Sequence, residues 1–227
     1  MELFWKPRVK VCCIASLEEA WLATRYGASA LGLVSEMPSG PGVISEDLIA
    51  KIATVLPPSV SSFLLTSKQD PSEIIEQHRR CRTNVIQLCD RLKIGDYKEL
   101  RDAMPGIGLV QVIHVTGEEA LEEAFATAPH VNGILLDSGN QKLRVKQLGG
   151  TGRTHDWGLS RRIREKVNTS IFLAGGLNPE NVVEALKQVQ PFGVDVCNGV
   201  RTDGKLDEGR LSAFFKAILS YSNTIRI

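Results

Sequence analysis

Regular alternation of strand-like and helix-like stretches predicts an α/β fold, a single (β/α)8 TIM barrel covering residues 1–227. Apolar, often β-branched runs begin near residues 9, 30, 60, 85, 109, 131, 170 and 193, each followed by a helical pattern. Intervals of roughly 20–40 residues are the spacing of βα units, and eight units close a barrel. The position of the glycines decides against an open doubly wound sheet. Such a sheet carries its glycine-rich turn after the first strand, but here that turn is Cys13-Ile-Ala-Ser16, without glycine. The glycine-rich turns follow strands seven and eight, where barrels place phosphate sites.

The first strand is expected over residues 9–14 and its helix over 17–26, with Ser16 and Glu19 as a capping box and Gly27 as the stop. A strand over 30–34 leads through a loop rich in proline and glycine, Pro38 to Gly42, into a helix over 45–55 ended by Pro57-Pro58. Strands over 60–66 and 85–89 precede helices over 71–82 and 96–103. A strand over 109–114 precedes a helix over 117–128, with Thr116 and Glu119 as its capping pair. The strand over 131–136 ends in Asp137 and opens the longest irregular stretch, 138–155, before a helix over 158–167. In Ile171-Phe-Leu-Ala-Gly-Gly-Leu-Asn-Pro-Glu-Asn-Val182 an apolar strand meets two glycines and then a helix over 179–190, capped by Asn178 with Pro179 in its first turn. A strand over 193–196 and a helix over 206–221 finish the series.

Composition narrows the partners. With 43% hydrophobic and 23% charged residues and no break that marks a linker, the chain suits one domain with a large core. A net charge of +1 gives no electrostatic reason to expect nucleic acid or an acidic membrane. The basic runs 78–82 and 161–164 fall in helical patterns and read as solvated faces. Five cysteines (Cys12, Cys13, Cys81, Cys89 and Cys197) contain no C-x-x-C pair and are odd in number, which points to free thiols in a reducing compartment. Charge and proline interrupt the first residues before an apolar leader forms, and no run reaches membrane-span length, so a cytoplasmic protein is expected.

Catalytic side chains of a barrel project from the carboxyl ends of its strands. Cys12, Cys13, Thr66, Cys89, His114, Asp137, Asp195 and Cys197 fall near those ends. Period-two alternation puts Lys10 and Cys12 on one face of strand one, and Asp195 and Cys197 on one face of strand eight. These strands are neighbours once the barrel closes, so Lys10 is expected to pair with Asp195 below Cys12. A thiol and a carboxyl across the mouth, Cys12 and Asp137, suit a base and an acid in proton transfer; plain core packing of Cys12 and loop capping by Asp137 are the structural alternatives. Cys12, Cys89, His114 and Cys197 are zinc-binding residue types, but their spacing matches no local zinc motif and no metal is expected. Gly175-Gly176 and the turn through Asn198-Gly199 read as two halves of a phosphate cradle of backbone N–H groups. Gly149-Gly-Thr-Gly152 is either a flexible loop or the cradle's lid or third wall.

The chain resembles the phosphoribosylanthranilate isomerase family of tryptophan biosynthesis. The matching pieces, in order, are Lys10-Val-Cys12, Gly27-Ala28, Leu31-Gly32, Gln87-Leu88, Leu135-Leu-Asp137, Gly149-Gly-Thr-Gly152 with Asp156-Trp157, Leu173 to Val182, Val194-Asp-Val196 and Gly199-Val200. The resemblance implies a cofactor-free barrel enzyme that performs an Amadori rearrangement of N-(5-phosphoribosyl)anthranilate, as a monomer or homodimer with a small sugar phosphate as its partner. It implies Asp137 as the general acid that opens the ribose ring and Cys12 as the general base that removes the C2 proton. Gly150, Gly152, Gly175, Gly176, Asn198 and Gly199 would hold the 5-phosphate, and Lys10, Gln87, Cys89, His114, Asp195 and Cys197 would belong to the pocket.

Departures from the family pattern cluster where the aromatic half of that substrate would sit. The family's usual arginine for the anthranilate carboxylate aligns with Gly42, and residues 35–42 contain neither arginine nor lysine. Cys13 stands for a usual glycine, Cys89-Asp90 for His-Gly, Cys197 for a serine and Arg201 for an acidic residue. Arg153, Lys142, Arg144 and Arg201 are the candidates for a substitute charge. An isomerase for an aldosylamine lacking a carboxylate, which Gly42→Arg would return to the usual substrate, and a non-catalytic phosphometabolite binder are the competing expectations.

Overall fold

The computed structural model describes residues 7–139, 148, 152 and 154–223. Eight parallel strands close in sequence order: β1 (Arg8–Val11), β2 (Ala30–Val34), β3 (Ser61–Thr66), β4 (Val85–Leu88), β5 (Gly108–His114), β6 (Gly133–Asp137), β7 (Ser170–Leu173) and β8 (Gly193–Val196), with β8 returning to β1. Helices follow them on the outside: α1 (Leu17–Arg25), α2 (Glu46–Val55), α3 (Pro71–Cys81), α4 (Asp96–Ala103), α5 (Glu119–Thr127), α6 (Trp157–Lys166), α7 (Val182–Val189) and α8 (Glu208–Ser222). The predicted barrel is therefore the observed one. A two-residue antiparallel pair, β9 (Arg201–Thr202) with β10 (Lys205–Leu206), precedes α8.

Strand alternation sorts the core into two layers. Val9, Val11, Leu31, Leu33, Ile86, Leu88, Val194 and Val196 face the helices in one large buried cluster. Ala30, Val34, Phe63, Leu65, Val110, Val112, Leu135 and Phe172 fill the barrel interior. Burying one such aliphatic side chain contributes about 1.5–3 kcal/mol, so the same alternation that closes the barrel also decides which residues reach its mouth.

Local signals explain most helix ends. The Ser16 hydroxyl accepts the Glu19 N–H at 3.2 Å, and Glu19 reaches back to the Ala15 N–H at 3.0 Å. Gly27 follows α1 at φ +97°. Asp70, Asp156 and Asp207 cap α3, α6 and α8 with their carboxylates. Two expected caps differ. The Thr116 hydroxyl meets the Glu119 carboxylate, not its backbone N–H, and α5 starts two residues later than expected, with no side-chain cap bond. Asn178 does accept from the N–H groups of Glu180 and Asn181, both at 3.0 Å, yet residues 178–181 form a separate turn and regular helix begins only at Val182. The basic runs lie on solvated faces as expected: Arg79 pairs with Glu76, Arg80 with Glu46, and Arg162 with Glu118.

Candidate active site

β1 ends at Val11, so Cys12 and Cys13 sit just past it and head the loop into α1. Cys12 follows Lys10 on the interior face. Lys10 is fully buried and its Nζ lies 2.9 Å from Asp195 Oδ2, in register across β1 and β8. The pairing expected from alternation and closure is thus present. Burial works against the Lys10 ammonium, but Asp195, with help from Cys12, holds its pKa above the ordinary lysine value. Removing either partner would strand a buried charge at a cost of about 3–5 kcal/mol. Gly32 makes the room: a Cβ there would lie 2.7 Å from Cys12 Sγ and 3.0 Å from Lys10 Nζ.

Cys12 is buried, and the largest influence on its thiol is a hydrogen bond from Cys13, which lowers its pKa below the ordinary value. Burial and the Asp195 charge oppose that shift, while Lys10 supports it. The same hydrogen bond pushes the Cys13 pKa up, so of the two neighbours Cys12 is the more acidic thiol. On the other side of the mouth, Asp137 ends β6 at 7% exposure. Burial raises its carboxyl to about 6 against the pull of the Ser138 N–H, which donates to Oδ1 at 2.7 Å. A carboxyl poised near neutrality can donate a proton at physiological pH.

Cys12 and Asp137 line one cavity at the barrel mouth. Gln87, Cys89, Asp195 and Cys197 line it as well. Asp195 Oδ1 and Gln87 Oε1 have no hydrogen-bond partner among the described residues, which leaves two acceptors for a ligand. The glycine turns face the same space: Gly152, Gly175, Gly176, Asn198 and Gly199 all border it. Gly175 and Gly176 take φ of +83° and +63°, a conformation that bares successive N–H groups at little cost to glycine alone. The Asn181 side chain donates to the Gly176 carbonyl at 2.9 Å and fixes that turn. Gly199 packs so closely that a Cβ would lie 2.0 Å from the Leu177 carbonyl oxygen. Gly199→Ala must therefore push the two turns apart. Loss of one charge-assisted hydrogen bond, about 1.5–3 kcal/mol, predicts a KM for a phosphorylated substrate raised by about 10–100-fold in steady-state assays.

Two expected pocket residues do not line the cavity. Lys10 lies beneath it, held by Asp195. His114 ends β5 in register with Asp137 but is buried against the backbone of Leu148, and Leu148 is the residue that reaches the cavity. Burial lowers the His114 pKa. Gly150, Lys142, Arg144 and Arg153 lie outside the described residues. Among the described residues no three His, Cys, Asp or Glu side chains converge as a metal site, so Cys12, Cys89, His114 and Cys197 do not form the cluster weighed above. The loop between β2 and α2 adds Met37, Ser39, Gly40 and Pro41 to the wall, residues marked in sequence only by the loop's proline and glycine content.

Arg201 is not a free charge. Its guanidinium is 5% exposed, pairs with Glu19 at 2.9 Å, and donates to the backbone carbonyls of Cys12, Cys13 and Gly204. It braces the turn that carries Cys12 and does not serve the cavity. Gly42 is also explained. Its φ is +81°, and a Cβ there would lie 2.5 Å from Cys13 Cβ and 2.9 Å from Cys13 Cα. The Cys13 side chain occupies the space that a side chain at position 42 would need, so the two departures from the family pattern compensate each other. The expectation that Gly42→Arg by itself returns the usual activity meets this steric obstacle. That variant should lose about 2 kcal/mol or more in thermal or urea unfolding and gain no turnover, and adding Cys13→Gly should recover part of the loss.

Fold and mouth together define a (β/α)8 barrel equipped for acid–base chemistry on a phosphorylated small molecule. The N-(5'-phosphoribosyl)anthranilate (PRA) isomerase family model matches residues 9–217. The chain belongs to that family. It is 34% identical over 204 residues to the N-(5'-phosphoribosyl)anthranilate isomerase of Methanocella arvoryzae, covering 90% of this chain and 93% of that one. Identity to the Methanosarcina acetivorans isomerase is 32%, over 94% and 93% of the two chains. Among solved structures, phosphoribosyl anthranilate isomerase from Thermotoga maritima superposes with a TM-score of 0.81 at 31% identity, covering 94% of this chain and 99% of that one. A phosphoribosyl anthranilate isomerase in complex with reduced 1-(o-carboxyphenylamino)-1-deoxyribulose 5-phosphate superposes with a TM-score of 0.78 at 30% identity and the same coverage.

Proposed function

We propose that the chain catalyses the reaction its family is named for, the Amadori rearrangement of N-(5-phosphoribosyl)anthranilate to 1-(o-carboxyphenylamino)-1-deoxyribulose 5-phosphate in tryptophan biosynthesis. The observation that carries this reading is the pairing, across one cavity, of a thiol with a lowered pKa and a carboxyl with a raised one. Protonated Asp137 donates to the ribose ring oxygen, the C1–O bond breaks, and the anilino nitrogen takes up the positive charge as a Schiff base. The Cys12 thiolate removes the C2 proton, the electrons move to the nitrogen, and the enolamine tautomerises to the ketose. Backbone N–H groups around Gly175, Gly176 and Gly199 hold the 5-phosphate, with Gly150 and Gly152 as the third wall. Asp195 Oδ1 and Gln87 Oε1 accept hydrogen bonds from the sugar hydroxyls. In this reading Lys10 steadies Asp195 and favours the Cys12 thiolate.

The chain should therefore restore growth without tryptophan to a bacterium lacking its own isomerase, whereas the Cys12→Ser and Asp137→Asn variants should not. Failure of the wild-type chain at normal expression would count against the assignment.

A second reading, an isomerase for a phosphorylated aldosylamine without a carboxylate, draws on one specific observation. Among the described residues no arginine or lysine lines the cavity. The candidates left for the anthranilate carboxylate are Lys142, Arg144 and Arg153 in the sixth loop. Removing those charges together should raise KM for the anthranilate substrate if they bind it and leave KM unchanged under the second reading. The monomer-or-homodimer expectation stands as part of this proposal, and the Thermotoga maritima relative is described as a dimeric isomerase from which monomers were generated. Among the described residues no helix is long and apolar enough to cross a membrane. A cytoplasmic location remains part of the proposal.

A further inference from the structure

Cys13 and Cys197 belong to no step of the proposed reaction, yet both line the mouth and their sulfur atoms lie 2.7 Å apart. That is closer than unbonded sulfurs normally rest, and closing to the disulfide length of about 2.05 Å needs a shift of well under 1 Å. The backbone permits it. β1 and β8 are hydrogen-bonded neighbours, and the Cys12 N–H donates to the Val196 carbonyl at 2.8 Å. This holds the two turns at strand spacing, about 4.8 Å. Cys13 takes φ +62°, an unusual conformation for cysteine, and Arg201 and Gly42 pin it from two sides. Its side chain thereby meets Cys197 while keeping its hydrogen bond to the Cys12 thiol.

We propose that Cys13 and Cys197 are a redox-modification site, a thiol pair that hydrogen peroxide converts to a disulfide across the barrel mouth and so slows turnover. Cys197, the more exposed of the two, takes one oxygen from peroxide to become a sulfenic acid as the O–O bond breaks and water leaves. The Cys13 sulfur then attacks the Cys197 sulfur, the S–O bond breaks, and a second water leaves with the Cys13 proton. Two thiols and one peroxide give one disulfide and two waters. The bond removes the Cys13 hydrogen that bonds to Cys12, and it tethers the turn that carries Asn198 and Gly199. The effect on turnover rests on the reading of Cys12 as the base; formation of the bond does not.

The test is peptide mapping of the full-length protein after hydrogen peroxide and alkylation, with turnover followed in parallel. The expected result is a mass loss of about 2 Da, a linked peptide pair joining Cys13 to Cys197, turnover reduced at least about tenfold, and recovery of both with dithiothreitol. Cys13→Gly and Cys197→Ser proteins should show no such mass loss. Oxygen adducts alone, a bond from Cys12, or a mass loss that survives in either variant would overturn the proposal, as would a mapped bond without slowed turnover. Absence of turnover in the reduced protein would instead count against the isomerase reading, and the mass map would still decide whether the bond forms.

Discussion

Asp137→Asn lowers kcat by about 10²–10⁴-fold, the usual contribution of a positioned general acid, and at the same time makes the protein more stable at pH 7. The stability gain follows from the buried carboxyl. A group whose pKa rises from 3.8 unfolded to about 6 folded binds its proton more tightly in the folded state. Ionised Asp137 therefore destabilises the fold at every pH above about 6, the penalty falls away as pH drops from 6 to 4, and below that range both states are protonated. A shift of this size corresponds to up to about 3 kcal/mol. Asparagine keeps an oxygen to accept the Ser138 N–H, never ionises and removes the penalty. Thermal unfolding of the two proteins at pH 4 and pH 7 checks this: their melting temperatures should differ at pH 7 and converge at pH 4. A structural cap with no acid role would lose little activity on the same substitution.

Cys12→Ser removes the base and should cost a comparable factor in kcat with little change in KM, because a serine hydroxyl stays protonated where the Cys12 thiol is tuned toward the thiolate. The pH profile separates the two roles. The productive form carries a thiolate at Cys12 and a proton on Asp137, so wild-type kcat/KM falls on the acid side as the thiolate is protonated and on the alkaline side as Asp137 ionises. Residual activity of Asp137→Asn should keep rising with pH, its alkaline fall gone. A cysteine that only filled the core would alter stability and leave the shape of the profile unchanged.

Residues whose placement depends on local period and strand order were legible from the sequence. Lys10 and Asp195 could be paired because alternation fixed their faces and closure made β1 and β8 neighbours, and they lie 2.9 Å apart. Gly175, Gly176, Asn198 and Gly199 could be brought together because the turns after strands seven and eight are adjacent in any closed barrel, and they border one cavity. His114 was misplaced because alternation gives the direction of a side chain but not what lies over it, and Leu148 lies over it. The contact of Gly42 with Cys13 was hidden for a related reason. It joins two loops 29 positions apart through backbone with positive φ at both ends, which no periodicity reports. Without it Gly42 reads as a missing arginine, whereas with it Gly42 and Cys13 read as one exchange of volume between neighbouring loops. Arg201 likewise reads as a spare charge until Glu19 and three backbone carbonyls are found to occupy it.

The measurement closest to the central claim is turnover of purified protein on freshly made N-(5-phosphoribosyl)anthranilate, followed by loss of substrate fluorescence, with the ketose product identified by mass and reduction. The acid–base reading of the mouth predicts saturable conversion by the wild type that drops at least about 100-fold in both Cys12→Ser and Asp137→Asn. Wild-type conversion no faster than that of the two variants would contradict it.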